Sequence, residues 1–290
     1  MDCLGQGGLK PNVIVLNALV SACGSGQRWE MAIRWAQELP RRGLRPDTVT
    51  CNACLSACAI SHRWEKALDV LEETRPSGLP PTVSTLNAAL NACARQNWQL
   101  ALRILDSFAG LRLQPDLLSF SACVSACEKG AEWAMALQVF AEAASAGIEL
   151  DPIMCHASIS ACEKGLQWTR SLALLALMRS LQLPLKAVGL NSAISACEKG
   201  SVWEPALVLL ASMPHSRLEP EQLACGAAVA ACARAQLWAP AVRLLLSLND
   251  RRLGGDAVTC GLVLSACTAE GRSCCCCSCS RPKAEVLNWT

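Results

Sequence analysis

The hexapeptide SACEKG is written three times, at Ser125–Gly130, Ser160–Gly165 and Ser195–Gly200, each copy starting 35 residues after the one before. Recurrence at a fixed interval of this size marks an architecture of stacked units rather than one globular core. Working outward, the motif's cysteine returns at Cys23, Cys58, Cys93, Cys127, Cys162, Cys197, Cys232 and Cys267, in steps of 35, 35, 34, 35, 35, 35 and 35. A tryptophan follows at Trp29, Trp64, Trp98, Trp133, Trp168, Trp203 and Trp238, six residues later everywhere except after Cys93, where the gap is five. The one deletion therefore falls in a turn, where it costs least.

Each unit reads as a helical hairpin. In 117–151, Phe120, Cys123, Val124 and Cys127 share one helical stripe, and Gly130 breaks the pattern. Trp133, Ala136, Leu137 and Phe140 then repeat the stripe, and Gly147 stands where a helix C-terminus favours glycine. A lone hairpin cannot bury both stripes, but stacked copies can. The fold class expected is all-α, an α-solenoid of helix-turn-helix repeats.

Counting from Val13 gives seven complete units, 13–47, 48–82, 83–116, 117–151, 152–186, 187–221 and 222–256. Residues 1–12 read as the tail of a preceding unit and 257–271 as the first helix of an eighth. Neither end has a polar capping element, so the chain reads as a fragment or an imperfect gene model. Residues 272–290 include SCCCCSCS at Ser273–Ser280, outside any repeat, and read as a low-complexity disordered tail.

Composition bounds the chemistry. The 290 residues are 52% hydrophobic but only 4% aromatic, with no tyrosine, so small aliphatic side chains must fill the core. The formal charge of +2 gives no broad basic face, and any nucleic-acid binding must rest on local groups. Twenty cysteines in a short secreted chain would indicate disulfides. Met1–Gly8 has neither the basic start nor the apolar stretch of a secretory signal, so reduced, intracellular thiols are expected. It also lacks an Arg- and Ser-rich transit character. No uncharged apolar run is long enough to span a membrane.

The stretches GLKPNVIVLNALVSAC (8–23), GLRPDTVTCNACLSAC (43–58) and RLQPDLLSFSACVSAC (112–127) resemble pentatricopeptide repeats, which carry a G-[IL]-x-P-D link before the first helix. The resemblance runs from Gly8 to about Gly271. Tetratricopeptide arrays fit less well, with a period of 34 and a tyrosine this chain lacks. The chain departs from the family pattern at the fourth position of each unit and in the recurring Trp, both of them core substitutions.

The resemblance implies a right-handed solenoid that binds single-stranded RNA, one base per repeat. In the family, the fifth and the last residue of a unit together read a base. Carried over, Asn17 with Asp47 and Asn87 with Asp116 match the uridine combination, and Ser121 with Asp151 the guanine one. Asn52 with Thr82 is a weaker pyrimidine match, and Asn191 with Glu221 weaker still. His156 with Lys186, and Gly226 with Asp256, match no combination. The same Asn and Asp residues also suit helix caps and turns.

The second residues Ile14, Val49, Leu118, Ile153 and Val188 fall at the family's base-wedging position; they equally suit packing on a neighbouring repeat. Arg95, Lys129, Lys164, Lys199 and Arg234, two residues after the repeated cysteine, fall near the RNA backbone in the family. There they could form a phosphate ladder, and they equally complement a helix C-terminus. CNAC at Cys51–Cys54 has a metal-like spacing, yet its residues fill stripe positions and read as core. No metal or other cofactor is expected.

Neither G-x-x-x-x-G-K-[ST] nor G-x-S-x-G occurs, and none of His62, His156 and His215 opens an H-x-E. The reading is a binder and not an enzyme, with single-stranded RNA, and other RNA-processing proteins, as partners. It would be monomeric, with no membrane contact, in chloroplast or mitochondrion. A peptide-binding scaffold, or the RNA-binding arm of an enzyme, are the alternatives.

Overall fold

The computed structural model describes residues 13–26, 28–41, 43–74, 80–94, 97–214, 218–250, 260, 261, 263 and 264. Among these residues there are fourteen α-helices and no strand, so the all-α expectation holds. Helices of two kinds alternate. The first kind are α1 (Val13–Ser25), α3 (Thr48–Ile60), α5 (Val83–Cys93), α7 (Leu117–Lys129), α9 (Pro152–Lys164), α11 (Ala187–Lys199) and α13 (Gln222–Arg234). The second kind each open on a tryptophan: α2 (Trp29–Arg41), α4 (Trp64–Thr74), α6 (Trp98–Gly110), α8 (Trp133–Ser145), α10 (Trp168–Ser180), α12 (Trp203–Ser212) and α14 (Trp238–Asp250).

The chain divides into two compact units, 1–154 and 155–290. In the first, α1 packs on α3, α3 on α5 and α5 on α7, while α2, α4 and α6 each also pack on the following first helix. In the second, α11 packs on α13, and α10 and α12 on the first helices that follow them. Small residues make this approach close: a Cβ on Gly24 would lie 3.3 Å from the Cβ of Ala57. Cys58, Cys93, Cys127, Cys162, Cys197 and Cys232 are all fully buried along the same stripe. Cys51, Cys54 and Cys58 are core residues too, and among the described residues no group of three His, Cys, Asp or Glu side chains could hold a metal.

The turns explain the cysteine-to-tryptophan spacing. The cysteine carbonyl accepts the N–H five residues on, from Arg63, Glu132, Gln167, Val202 and Leu237, at 2.8–3.0 Å. This closes a Schellman-type turn whose left-handed residue is His62, Ala131, Leu166, Ser201 or Gln236. Where one residue is deleted, the Cys93 carbonyl takes the N–H of Asn97 instead, at 3.0 Å. The Asn97 side chain then caps α6 by accepting from the Leu100 N–H.

Two glycines therefore differ in purpose. Gly147 is left-handed at φ +73°, as expected at a helix end. Gly130 has φ −73°, so the conformational role inferred from sequence passes to Ala131, at φ +58°. What Gly130 supplies is room. A Cβ there would come within 2.4 Å of the Trp98 ring.

Residues 1–12, Arg95, His215, Asp256 and 265–290 lie outside the described residues. Of 257–271, Cys260, Gly261, Val263 and Leu264 are helical.

Candidate nucleic-acid interface

The candidate residues lie at the starts of the first helices, where local sequence decides the geometry. Asp47 and Asp116 are the N-caps of α3 and α7, with extended backbone. Their carboxylates accept the backbone N–H of Thr50 at 2.8 Å and of Ser119 at 2.9 Å. The hydroxyls of those two residues receive the N–H of Asp47 and Asp116 in return, completing capping boxes. Capping, which competed with base reading in the sequence, is thus real.

The same carboxylates also hold the fifth residue of the preceding helix. Asn17 donates through Nδ2 to both oxygens of Asp47, at 3.1 and 3.2 Å. Asn87 does the same to Asp116, at 3.0 and 3.1 Å. Each ring is closed by a third residue, which sequence reasoning passed over. Thr50 Oγ1 donates to Asn17 Oδ1 at 2.6 Å, and Ser119 Oγ to Asn87 Oδ1 at 2.6 Å. The signal was present as a hydroxyl residue three places after each aspartate.

Burial works to raise the Asp47 carboxyl, but hydrogen bonds from Thr50, Asn17 and Val49 outweigh it, and the group is held below the ordinary carboxylate value. In Asp116, desolvation is likewise outweighed, chiefly by bonds from Ser119 and Asn87. Both are anionic acceptors at neutral pH.

The other pairs are built differently. Thr82 caps α5 through Thr85, and its hydroxyl lies 2.9 Å from that of Thr85 rather than on Asn52. Asn52 Nδ2 reaches Ser84 Oγ at 3.5 Å, and its Oδ1 is buried with no hydrogen-bond partner. Asn191 donates to Glu221 at 3.3 Å, while its own Oδ1 is similarly unsatisfied; the third residue there is Ala224, without a hydroxyl. Asp151 accepts the Met154 N–H at 2.7 Å, with Ser121 half-buried. His156 is buried over Gly189, where a Cβ would overlap its ring, and Lys186 is exposed at the start of α11.

Ile14, Val49, Leu118, Ile153, Val188 and Leu223 are all exposed, from 58% at Val49 to 73% at Ile14. Within their own units they therefore present bare aliphatic surface beside the fifth residues; the third unit has the exposed Ser84 at this position instead. Packing on a neighbour leaves most of each one uncovered.

The cations two residues after the cysteine are surface groups. Lys199 pairs with Glu163 at 3.0 Å, and Ser195 donates to the same carboxylate oxygen at 2.9 Å. Arg234 pairs with Glu198 at 3.2 Å. Ser195 and Lys199 of the third SACEKG copy thus bind Glu163 of the second. Lys129 and Lys164 are exposed, and Arg95 lies outside the described residues.

Two family models match the chain: a pentatricopeptide repeat domain at residues 34–96 and a pentatricopeptide repeat at 14–44. No curated protein sequence matches it. Among solved structures, it is similar to the maize pentatricopeptide repeat protein PPR10 in complex with an 18-nt psaJ RNA element, at 19% identity and a TM-score of 0.63, covering 94% of this chain and 48% of that one. It is also similar to the pentatricopeptide domain of Arabidopsis thaliana protein-only RNase P 1 in complex with tRNA, at 14% identity and a TM-score of 0.54, covering 61% and 93%. Arabidopsis thaliana nuclear protein-only RNase P 2 matches at 14% identity and a TM-score of 0.55, covering 64% and 42%. The chain spans about half the length of PPR10.

Proposed function

The chain belongs to the pentatricopeptide repeat family, and from that premise we propose that it is a sequence-specific single-stranded RNA-binding protein. The observation that carries this reading is the pair of Asn–Asp rings, Asn17 with Asp47 and Asn87 with Asp116, with exposed Val49 and Leu118 two residues after the aspartates. Uracil offers an N3–H to the carboxylate, and its carbonyls accept an amide N–H. Solved relatives in complex with RNA support the assignment.

In this reading residues 13–256 work as seven repeats, each taking one base. RNA lying with its 5′ end at the first repeat gives 5′-U-Y-U-G over repeats one to four. Asn17 and Asp47 read the first base, Asn52 and Thr82 the second, Asn87 and Asp116 the third, and Ser121 and Asp151 the fourth. Asn191 and Glu221 belong to the sixth and discriminate weakly. Ile14, Val49, Leu118, Ile153 and Val188 separate successive bases. Lys129, Lys164, Lys199, Arg234 and Arg95 meet phosphates, which requires Lys199 and Arg234 to exchange a glutamate for the backbone.

The protein acts by binding, as a monomer and without catalysis, in the processing, stability, editing or translation of chloroplast or mitochondrial transcripts. Selection from a random RNA pool tests the core of this. Enrichment of U-Y-U-G is the expected result. Recovery of no motif overturns it and favours a peptide-binding scaffold.

A further inference from the structure

The two Asn–Asp pairs share a feature that the other pairs lack. In each, the third residue of the following repeat, Thr50 or Ser119, places its hydroxyl 2.6 Å from the asparagine Oδ1. A hydroxyl has one proton to give, and the aspartate Oδ1 is its other acceptor, at 2.9 Å in both rings. The asparagine oxygen is the nearer. Its amide is therefore held with Oδ1 occupied and Nδ2 toward the carboxylate.

From this geometry we propose that Thr50 and Ser119 are specificity-positioning residues, so that three side chains from two adjacent repeats set each uridine choice. The proposal rests on the base-reading assignment above. Held at Oδ1 by the hydroxyl and at Nδ2 by the carboxylate, the amide is fixed at both ends, and its remaining N–H is the group it offers a base. Uracil flanks its N3–H with two carbonyls and can accept one. Cytosine has an amino donor where uracil has a carbonyl, and an unprotonated N3, so an N–H facing the amino group and a carboxylate facing N3 both disfavour it. An amide held by the carboxylate alone can tilt its Oδ1 toward that amino group, accept from it and weaken the distinction.

The remaining asparagines fit this division. Asn191 donates to Glu221 but faces Ala224 and leaves its Oδ1 unsatisfied, so its amide is held at one end only. At Asn52 the third residue, Thr85, does carry a hydroxyl, but that hydroxyl is engaged with Thr82. A hydroxyl alone is thus insufficient. The aspartate must also be present to bring asparagine and hydroxyl together.

The test is competition binding on the full chain, with RNAs that carry U or C at the first or the third base of U-Y-U-G. Thr50→Val removes the hydroxyl at nearly constant shape. It should lower the U-over-C ratio at the first base by roughly threefold or more, the worth of one neutral hydrogen bond, and leave the third base alone. Thr50→Ser restores the hydroxyl and should restore the ratio. Ser119→Ala should do the converse, acting on the third base only. A loss of stability alone would weaken all four RNAs together, and would overturn the proposal. Asp47→Asn separates the two levels of inference. If it alters the first-base preference while Thr50→Val does not, the positioning role is wrong and the base-reading assignment stands. If neither alters it, both fall.

Discussion

Gly200 and Trp168 occupy one another's space: the tryptophan ring edge lies where a glycine Cβ would be, 2.4 Å from its Cδ1. Gly130 and Trp98 stand in the same relation. In these two copies the last letter of SACEKG is therefore written for the tryptophan of the preceding repeat. The bend itself belongs to the next residue, Ser201 at φ +54° or Ala131 at φ +58°.

Two substitutions one residue apart should then act in opposite directions. Gly200→Ala forces the indole to shift and is expected to cost about 1–3 kcal/mol, the usual range for overpacking. Ser201→Gly relieves a left-handed residue and is expected to stabilise by about 1 kcal/mol. Urea unfolding midpoints measure both. Equal destabilisation by the two would show that the turn, not the tryptophan contact, sets the glycine.

The buried cysteines predict a loss of stability at alkaline pH. Burial pushes Cys54 and Cys93 up to about 12, and Cys58, Cys127, Cys162 and Cys197 up to about 11. The sign follows from proton counting. Between an unfolded value near 9.0 and these raised values, the folded chain holds more protons than the unfolded one. Stability from these thiols is complete below about 9 and lost as pH rises through about 11 to 12. Thermal melts between pH 8 and pH 11 should show the fall, and substituting Cys127 and Cys197 by alanine should flatten it. Thiol alkylation of the native protein should also be slow at neutral pH.

Lys199 distinguishes a repeat-to-repeat link from a phosphate contact. As an exposed ion pair with Glu163, it should contribute less than about 1 kcal/mol to folding. As a phosphate contact, its removal should weaken all RNAs alike and reduce the salt slope of binding by about 0.7, one contact on a single strand. We predict the second result for Lys199→Ala, measured from 50 to 200 mM salt. An unchanged slope would confine the residue to the glutamate.

Helix periodicity, the turn positions and the core cysteines were legible because each follows from a repeated spacing that one sequence displays seven times over. The role of Gly130 was not, because glycine permits both a left-handed bend and a close approach, and only the position of the Trp98 ring separates them. The third residues were hidden for a related reason. Thr50 and Ser119 read as ordinary capping-box members, and their second bond crosses to the preceding repeat, about thirty residues away in the chain. The cations were visible, but the glutamates one repeat back that pair with Lys199 and Arg234 were not.

The guanine assignment of the fourth repeat gives the sharpest exchange. Asp151 keeps one oxygen on the Met154 N–H, at 2.7 Å, so the cap fixes which end of the side chain stays with the helix. In Asp151→Asn the amide oxygen should retain that bond, because a backbone N–H needs an acceptor. The new Nδ2 then replaces the free carboxylate oxygen. An acceptor that suited the N1–H and N2–H donors of guanine becomes a donor that suits the N1 acceptor of adenine. A hydrogen bond to a charged group is worth about 1.5–3 kcal/mol, so the preference for G over A should fall by roughly tenfold or more. Competition among RNAs differing only at that base reads the change, with the first and third uridines as internal controls. If wild type and variant rank G and A alike, Ser121 and Asp151 do not read this base.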